Sequence, residues 1–269
     1  MPGQLKIEFL GTRGAFPLNL PETQELGTET TSVIITSTGG ERLILDAGTG
    51  LNKLTPSIDD DIILLSHFHY DHVLGLPYFL MRKKSGRLRL VTSCAQDLTE
   101  FSQKLGRIFG GIGFPVGLSE IYRDLELVVI DSYTMSLHLQ SWRVDAIALN
   151  HPGQAFGYRI RHAEAEATLC YLMDHEHGSD KDESILEFAR HADLIIYDAA
   201  YDDSNYPRHR GFGHSTIETG CQFRRQAQAK SVALMGHSME RLDADKKRIE
   251  ATLTRPHEIL AHDRLTLSI

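Results

Sequence analysis

Six residues, His67-Phe-His69-Tyr-Asp71-His72, bring three imidazoles and one carboxylate together. They follow the apolar run Ile62-Ile-Leu-Leu, which reads as a buried strand. Residues two apart in extended chain point to the same side, so His67 and His69 can converge on one metal ion. Asp71 and His72 begin the next predicted element, a helix over 71–81 with Pro77 as an irregularity, and turn back toward the same point. Neutral imidazole and carboxylate suit a borderline ion such as zinc, and manganese and iron accept the same set. The alternative, a histidine-rich surface turn, leaves the fixed offsets unexplained.

The elements that must position this run are short. Strands are predicted at 5–10, 32–36 and 42–45, the last two around the Gly39-Gly40 turn, then at 61–65, 88–92 and 125–130. Further strands are predicted at 142–149, 156–160, 167–173, 194–197, 231–235 and 265–269, with helices from 215 to about 228 and from 243 to about 253. The first half is mostly strand and the second alternates strand with helix. That order fits two sheets with helices outside, a layered α/β architecture. The glycine-rich segment Gly110–Gly117 reads either as a surface loop or as a lid over a site.

Composition narrows the function classes. The 269 residues carry 28 Lys+Arg against 36 Asp+Glu, a formal charge of −8, with 24% charged residues. The charged fraction is that of an ordinary globular protein and argues against disorder. The acidic balance argues against a general nucleic-acid coat, though not against a local basic patch. Cys94, Cys170 and Cys221 are scattered and odd in number, which gives neither a disulfide framework nor a Cys-x-x-Cys knuckle. The first residues lack a charged-then-apolar signal pattern, and no apolar run approaches the ~20 residues of a membrane span. The expectation is a cytoplasmic protein with no membrane partner.

The His-x-His-x-Asp-His run at a strand end resembles that of the metallo-β-lactamase superfamily, and the likeness extends over nearly the whole chain. It implies a four-layer αββα sandwich, class α/β (α+β), with residues 1–269 as a single hydrolase domain. Asp46, in Leu45-Asp-Ala-Gly, looks like the early Asp that braces the metal loop through hydrogen bonds. An ordinary strand-end turn is its other reading. His151, Asp174 and His237, each past a predicted strand, look like the remaining ligands. The resemblance thus implies two metal ions, zinc first, with manganese or iron as substitutes. One is held by His67, His69 and His151, the other by Asp71, His72 and His237, and Asp174 bridges them. Asp71 and His214 stand as the catalytic residues.

His214, in Gly211-Phe-Gly-His-Ser-Thr, resembles an element of the RNase Z-like phosphodiesterases, in which this histidine assists the reacting phosphate. A positioned imidazole can protonate a poor leaving oxygen. Ser215 and Thr216 offer hydroxyls to cap the following helix and are weak candidates for substrate contact. Asp198 either orients His214 or is a structural strand-end residue. Arg208 and Arg210 are weak candidates for phosphate contact. His175 and His177, and the basic stretch from Arg82 to Arg89, read as solvated loop and helix end.

The likeness to RNase Z is incomplete. Only about two dozen residues separate His151 from Asp174, where the arm that grips tRNA in many such enzymes would insert. Three functions follow. The first is hydrolysis of a small phosphodiester, with a 3′,5′-cyclic nucleotide the leading candidate, by a hydroxide shared between the metals; relatives of this kind imply a homodimer. The second is RNase Z-like processing of tRNA 3′ ends, the one reading in which RNA is a partner. The third, from a different class, is a non-catalytic metal-binding protein on this scaffold; the presence of every expected ligand and of His214 argues against it.

Overall fold

Side-chain alternation along a four-residue strand, Arg42–Leu45, shows how the molecule is layered. Leu43 and Leu45 pack with Val33, Ile35, Tyr158 and Ile160 in one core, whereas Ile44 packs with Phe79 and Leu80 in another. This strand thus buries both faces, one against a second sheet and one against helices. The computed structural model describes residues 3–131, 133–253 and 255–269.

Among the described residues, fourteen strands form two seven-stranded sheets. The first contains β1 (Leu5–Gly11), β2 (Ser32–Ser37), β3 (Arg42–Leu45), β4 (Asp61–Leu65), β5 (Leu88–Thr92) and β6 (Leu125–Val129). The second contains β7 (Ser136–Leu139), β8 (Trp142–Ala148), β9 (Phe156–His162), β10 (Thr168–Leu172), β11 (Leu194–Asp198), β12 (Ser231–Met235) and β13 (Glu258–Leu260). The last strand, β14 (Thr266–Ser268), returns to the first sheet and pairs antiparallel with β1. Helices α1 (Leu76–Arg82), α2 (Leu98–Ile108) and α3 (Leu118–Ile121) cover the outer face of the first sheet. Helices α4 (Asp182–Phe188), α5 (Ile217–Gln226) and α6 (Asp243–Thr252) cover the second. The expected αββα sandwich is what the chain forms.

Strands β3 to β6 run parallel, as do β10 to β13. Their carboxyl ends are where a crevice opens in such sheets. Three elements differ from expectation at that crevice; α2, which borders it, was not anticipated, and two others begin later than expected. The predicted helix over 71–81 is a 3₁₀ turn at Tyr70–His72 followed by α1, which starts only at Leu76. Pro77 lies in the first turn of α1, where its missing N–H costs nothing, so it marks a helix start rather than an interruption. The helix expected from 215 begins at Ile217, with Thr216 as N-cap accepting from the Thr219 amide at 3.1 Å. Among the described residues no helix is long and apolar enough to cross a membrane, and Cys94, Cys170 and Cys221 are all buried free thiols.

Candidate metal centre and active site

Asp46 ends β3 in a left-handed conformation, φ 55°, and is fully buried. A non-glycine residue pays for that backbone, which persists only where the surroundings hold it. Here its carboxylate accepts from the Ser66 amide at 2.7 Å, the Ser66 hydroxyl at 2.8 Å and the Tyr171 hydroxyl at 2.7 Å. His72 Nδ1 lies 2.8 Å from the same carboxylate, and His67 Nδ1 lies 3.0 Å from the Ser66 hydroxyl. With Nδ1 of both rings engaged in this network, both Nε2 atoms are left facing the cluster. His151 is set the same way, its Nδ1 donating to the Gly213 carbonyl at 2.9 Å. Asp46 thus fixes the His72 ring directly and the His67 ring through Ser66. Asp46→Ala should weaken metal binding by about 10- to 100-fold, read by competition with a chromophoric chelator.

The freed nitrogens converge on Asp174. This residue, just past β10, is also left-handed, φ 58°, and buried. Its Oδ2 lies 3.4 Å from His67 Nε2, 3.4 Å from His72 Nε2 and 3.5 Å from His151 Nε2. His69 presents its other nitrogen, Nδ1, 3.1 Å from His151 Nε2. Three groups of ligand atoms, each mutually within 4.8 Å, result: His67, His69, His151 and Asp174; Asp71, His72 and Asp174; and Asp174, Asp198 and His214.

The donors fit a metal. His67 Nε2 and His72 Nε2 are buried and have no hydrogen-bond partner, an arrangement that is costly unless something else satisfies them. Burial, with neighbouring imidazoles, pushes His67 well below its ordinary pKa, the neutral form that ligates. Burial opposes charge on Asp174, but His72 and His214 outweigh it and hold the carboxyl well below the usual range. His72 shifts the other way: burial opposes its charge, but Asp174, Asp71 and Asp46 outweigh it and hold its pKa well above the ordinary value, so a metal bound there displaces a proton. The cluster is able to bind metal through imidazole and ionised carboxylate donors.

Asp71 is aimed by the loop after β1. Its Oδ2 accepts from the Ala15 amide at 2.8 Å and lies 3.3 Å from His72 Nε2. The loop after β1 is fixed by Arg13, fully buried, whose guanidinium donates to the carbonyls of Gly27, Ser238 and Arg241.

His237 is the one expected ligand that the fold does not bring to the cluster. Gly236, φ 83°, turns the chain after β12, and the amides of Gly236 and His237 both dock on the Thr12 carbonyl. The ring then lies in the interior, Nε2 donating to the Ala261 carbonyl at 2.7 Å and Nδ1 accepting from Arg241 at 3.1 Å. Both nitrogens are occupied, so the expectation that His237 completes the second set is corrected.

His214 sits at the cluster's edge, its Nδ1 2.6 Å from Asp198 Oδ2. Burial opposes the imidazolium, but Asp198 and Asp174 outweigh it and raise the His214 pKa to about 10. Of the two readings of Asp198, the geometry has the carboxylate orienting His214. Ser215 and Thr216 are fully buried. Ser215 donates to the His175 carbonyl and Thr216 caps α5, so neither faces substrate. Arg210 lines a separate cavity of about 670 Å³ behind His151, and Arg208 is exposed on a 3₁₀ turn.

A cleft of about 490 Å³ opens over Asp71, His151, Asp174 and His214, bordered by Arg107 and Ile108 from α2. The Gly110–Gly117 segment follows α2 as a loop closed by the Phe114 carbonyl, which accepts from the amides of Gly110 and Gly111.

The family model of the beta-lactamase superfamily domain matches residues 41–237, most of the chain. The chain belongs to the metallo-β-lactamase superfamily. It is 24% identical to the ribonuclease Z of Haloarcula marismortui over 86% of this chain and 85% of that one. It is 22% identical to the ribonuclease Z of Staphylococcus epidermidis over 98% and 100%. Among solved structures it superposes on the metallo-beta-lactamase fold protein YhfI of Bacillus subtilis with a TM-score of 0.73, at 19% identity over 99% of each chain.

One residue of this superfamily site escaped the sequence. Glu176 accepts from the Tyr206 hydroxyl at 2.8 Å and from the amides of Gly211 and Gly213 at 2.7 and 2.9 Å. It ties down the loop that carries His214 and supplies the Gly213 carbonyl to His151. A Cβ on Gly213, φ 89°, would fall 2.2 Å from His151 Nδ1, so only glycine permits that approach. Glu176 offered one faint signal, its position two residues after Asp174.

Proposed function

We propose that this chain is a metal-dependent phosphodiesterase that hydrolyses a small phosphodiester, a 3′,5′-cyclic nucleotide first among the candidates. The observation that carries the reading is the Asp198–His214 pair at 2.6 Å, held against the carboxylate that three cluster imidazoles share. His67, His69, His151 and Asp174 would hold one ion, and Asp71, His72 and Asp174 a second, with zinc suited to the donors. Bound there, the ions would supply Lewis acidity to a phosphoryl oxygen and a more acidic water.

This chain's own residues do the rest. Asp46 and the Gly213 carbonyl hold three imidazoles with Nε2 forward. His214, protonated at neutral pH, faces the cleft and gives its proton to the departing oxygen. Asp198 keeps that proton on the ring until it is needed. Because His214 acts protonated, activity holds below its pKa and falls above it. Removing the Asp198 charge lowers that pKa, so Asp198→Asn should move the basic limb of the kcat–pH profile down by about one unit or more.

A small substrate is favoured by the connection from His151 to Asp174. It is the hairpin of β9 and β10, paired antiparallel with no further element between them. The relatives named ribonuclease Z favour the second reading, cleavage of precursor tRNA. A panel of 3′,5′-cyclic nucleotides and a precursor tRNA, offered to metal-loaded protein with products resolved by chromatography, separates the two. Linear nucleoside monophosphates are expected. A single cut at the tRNA 3′ end, with cyclic nucleotides untouched, would replace this reading with the second.

A further inference from the structure

Five aromatic side chains are largely exposed among the described residues, and three of them line the cleft over Asp71, Asp174 and His214. They are Phe16 at 55%, Tyr70 at 57% and Phe212 at 59% exposure. They come from three separate segments: the loop after β1, the 3₁₀ turn of the histidine motif and the loop before His214. Each is one residue from a group of the site. Phe16 follows Ala15, whose amide holds Asp71; Tyr70 lies between His69 and Asp71; Phe212 precedes Gly213, whose carbonyl holds His151. None is needed for the core, and leaving aromatic rings in water forgoes a burial that favours folding. The cleft floor is polar, with Asp71, Asp174 and His214, and its rim is aromatic.

A ligand matched to both parts carries a phosphoryl group and, close beside it, a flat apolar ring. We propose that Phe16, Tyr70 and Phe212 form a stacking site for the nucleobase of the substrate, an inference that rests on the phosphodiesterase reading. Every base has a π face, so such a site takes purines and pyrimidines alike and sets substrate class rather than base identity. Arg107, exposed and also lining the cleft, adds a planar cation over which a base can lie.

Direct binding tests this without a catalytic readout. Titration calorimetry of the metal-loaded chain compares adenosine 5′-monophosphate with ribose 5-phosphate, which has the same phosphate and sugar but no base. The nucleotide should bind at least about tenfold more tightly. In the combined Phe16→Leu, Tyr70→Leu, Phe212→Leu variant the ratio should fall to about twofold or less, because leucine keeps apolar bulk and loses the π face. The three single variants, checked by circular dichroism, each lower the ratio in part if the combined one fails to fold. Equal affinity for the two ligands in the unaltered chain overturns the inference, as does a ratio the leucine variants leave intact. Hydrolysis of bis(p-nitrophenyl) phosphate is measured alongside. Its absence counts against the phosphodiesterase reading alone, since the affinity ratio still decides whether the rings bind a base.

Discussion

Asp174→Ala should lower kcat/KM for bis(p-nitrophenyl) phosphate by about 10³ or more, with the bound metal falling below one ion per chain. One oxygen of Asp174 stands within 3.5 Å of the Nε2 atoms of His67, His72 and His151. It belongs to every group of ligand atoms at the site, so removing it strips a donor from each. Lewis-acid stabilisation at phosphorus is worth several kcal/mol, and each 1.36 kcal/mol is tenfold, which gives about three powers of ten. The variant also leaves three imidazoles facing one another with no anion between them. Asp174→Asn keeps the shape and removes the charge, and should show the same loss of metal. Elemental analysis after gel filtration gives the stoichiometry. Undiminished metal in either variant would mean that Asp174 is not the shared ligand.

His214→Ala should act differently. It should leave the metal content unchanged and cost about 10²–10⁴ in kcat for a cyclic nucleotide, the range of a lost general acid. The size of the loss depends on the leaving group. An alkoxide expelled from a sugar needs a proton, whereas p-nitrophenolate is a stable anion and does not. With bis(p-nitrophenyl) phosphate the loss should therefore be about tenfold or less. The Asp198 contact at 2.6 Å and the pKa near 10 have His214 carrying that proton at neutral pH. Equal losses on both substrates would assign His214 to ground-state binding or to the metal, not to proton transfer.

Much of this site was legible in the sequence because it is written locally. The histidine motif needs only its own spacing and the preceding strand to point at one spot, and β4 ends where the apolar run ends. Asp46, His151, Asp174 and Asp198 were legible because each closes or follows a strand, and strand ends in parallel sheets meet at one edge. His237 follows a strand in the same way, yet its ring direction is set by contacts far along the chain: Thr12, Arg241 and the Ala261 carbonyl. No local pattern encodes those. Glu176 was hidden for the same reason, since its partners lie 30 to 37 residues away.

Helix α2 is a different case. It buries Phe101 and Leu105 and exposes most of its other residues, a thin apolar stripe. The sequence reading named no helix here, although Asp97-x-x-Glu100 marks its start: Asp97 accepts from the Glu100 amide, and Glu100 accepts from the Gln96 amide. That cap places Arg107 and Ile108 at the cleft. The helix predicted over 71–81 shows the reverse error. Pro77, an irregularity in that expected helix, lies in the first turn of α1, where proline is a start signal.

The most direct measurement is a zinc titration of chelator-stripped protein, following hydrolysis of bis(p-nitrophenyl) phosphate and bound metal together. Activity should be absent at the start, rise with added zinc and level off at about two ions per chain, the number expected of a paired site. Full metal loading with no phosphodiester cleaved would contradict the phosphodiesterase reading, and undiminished hydrolysis by the stripped protein would contradict the role given to the metal.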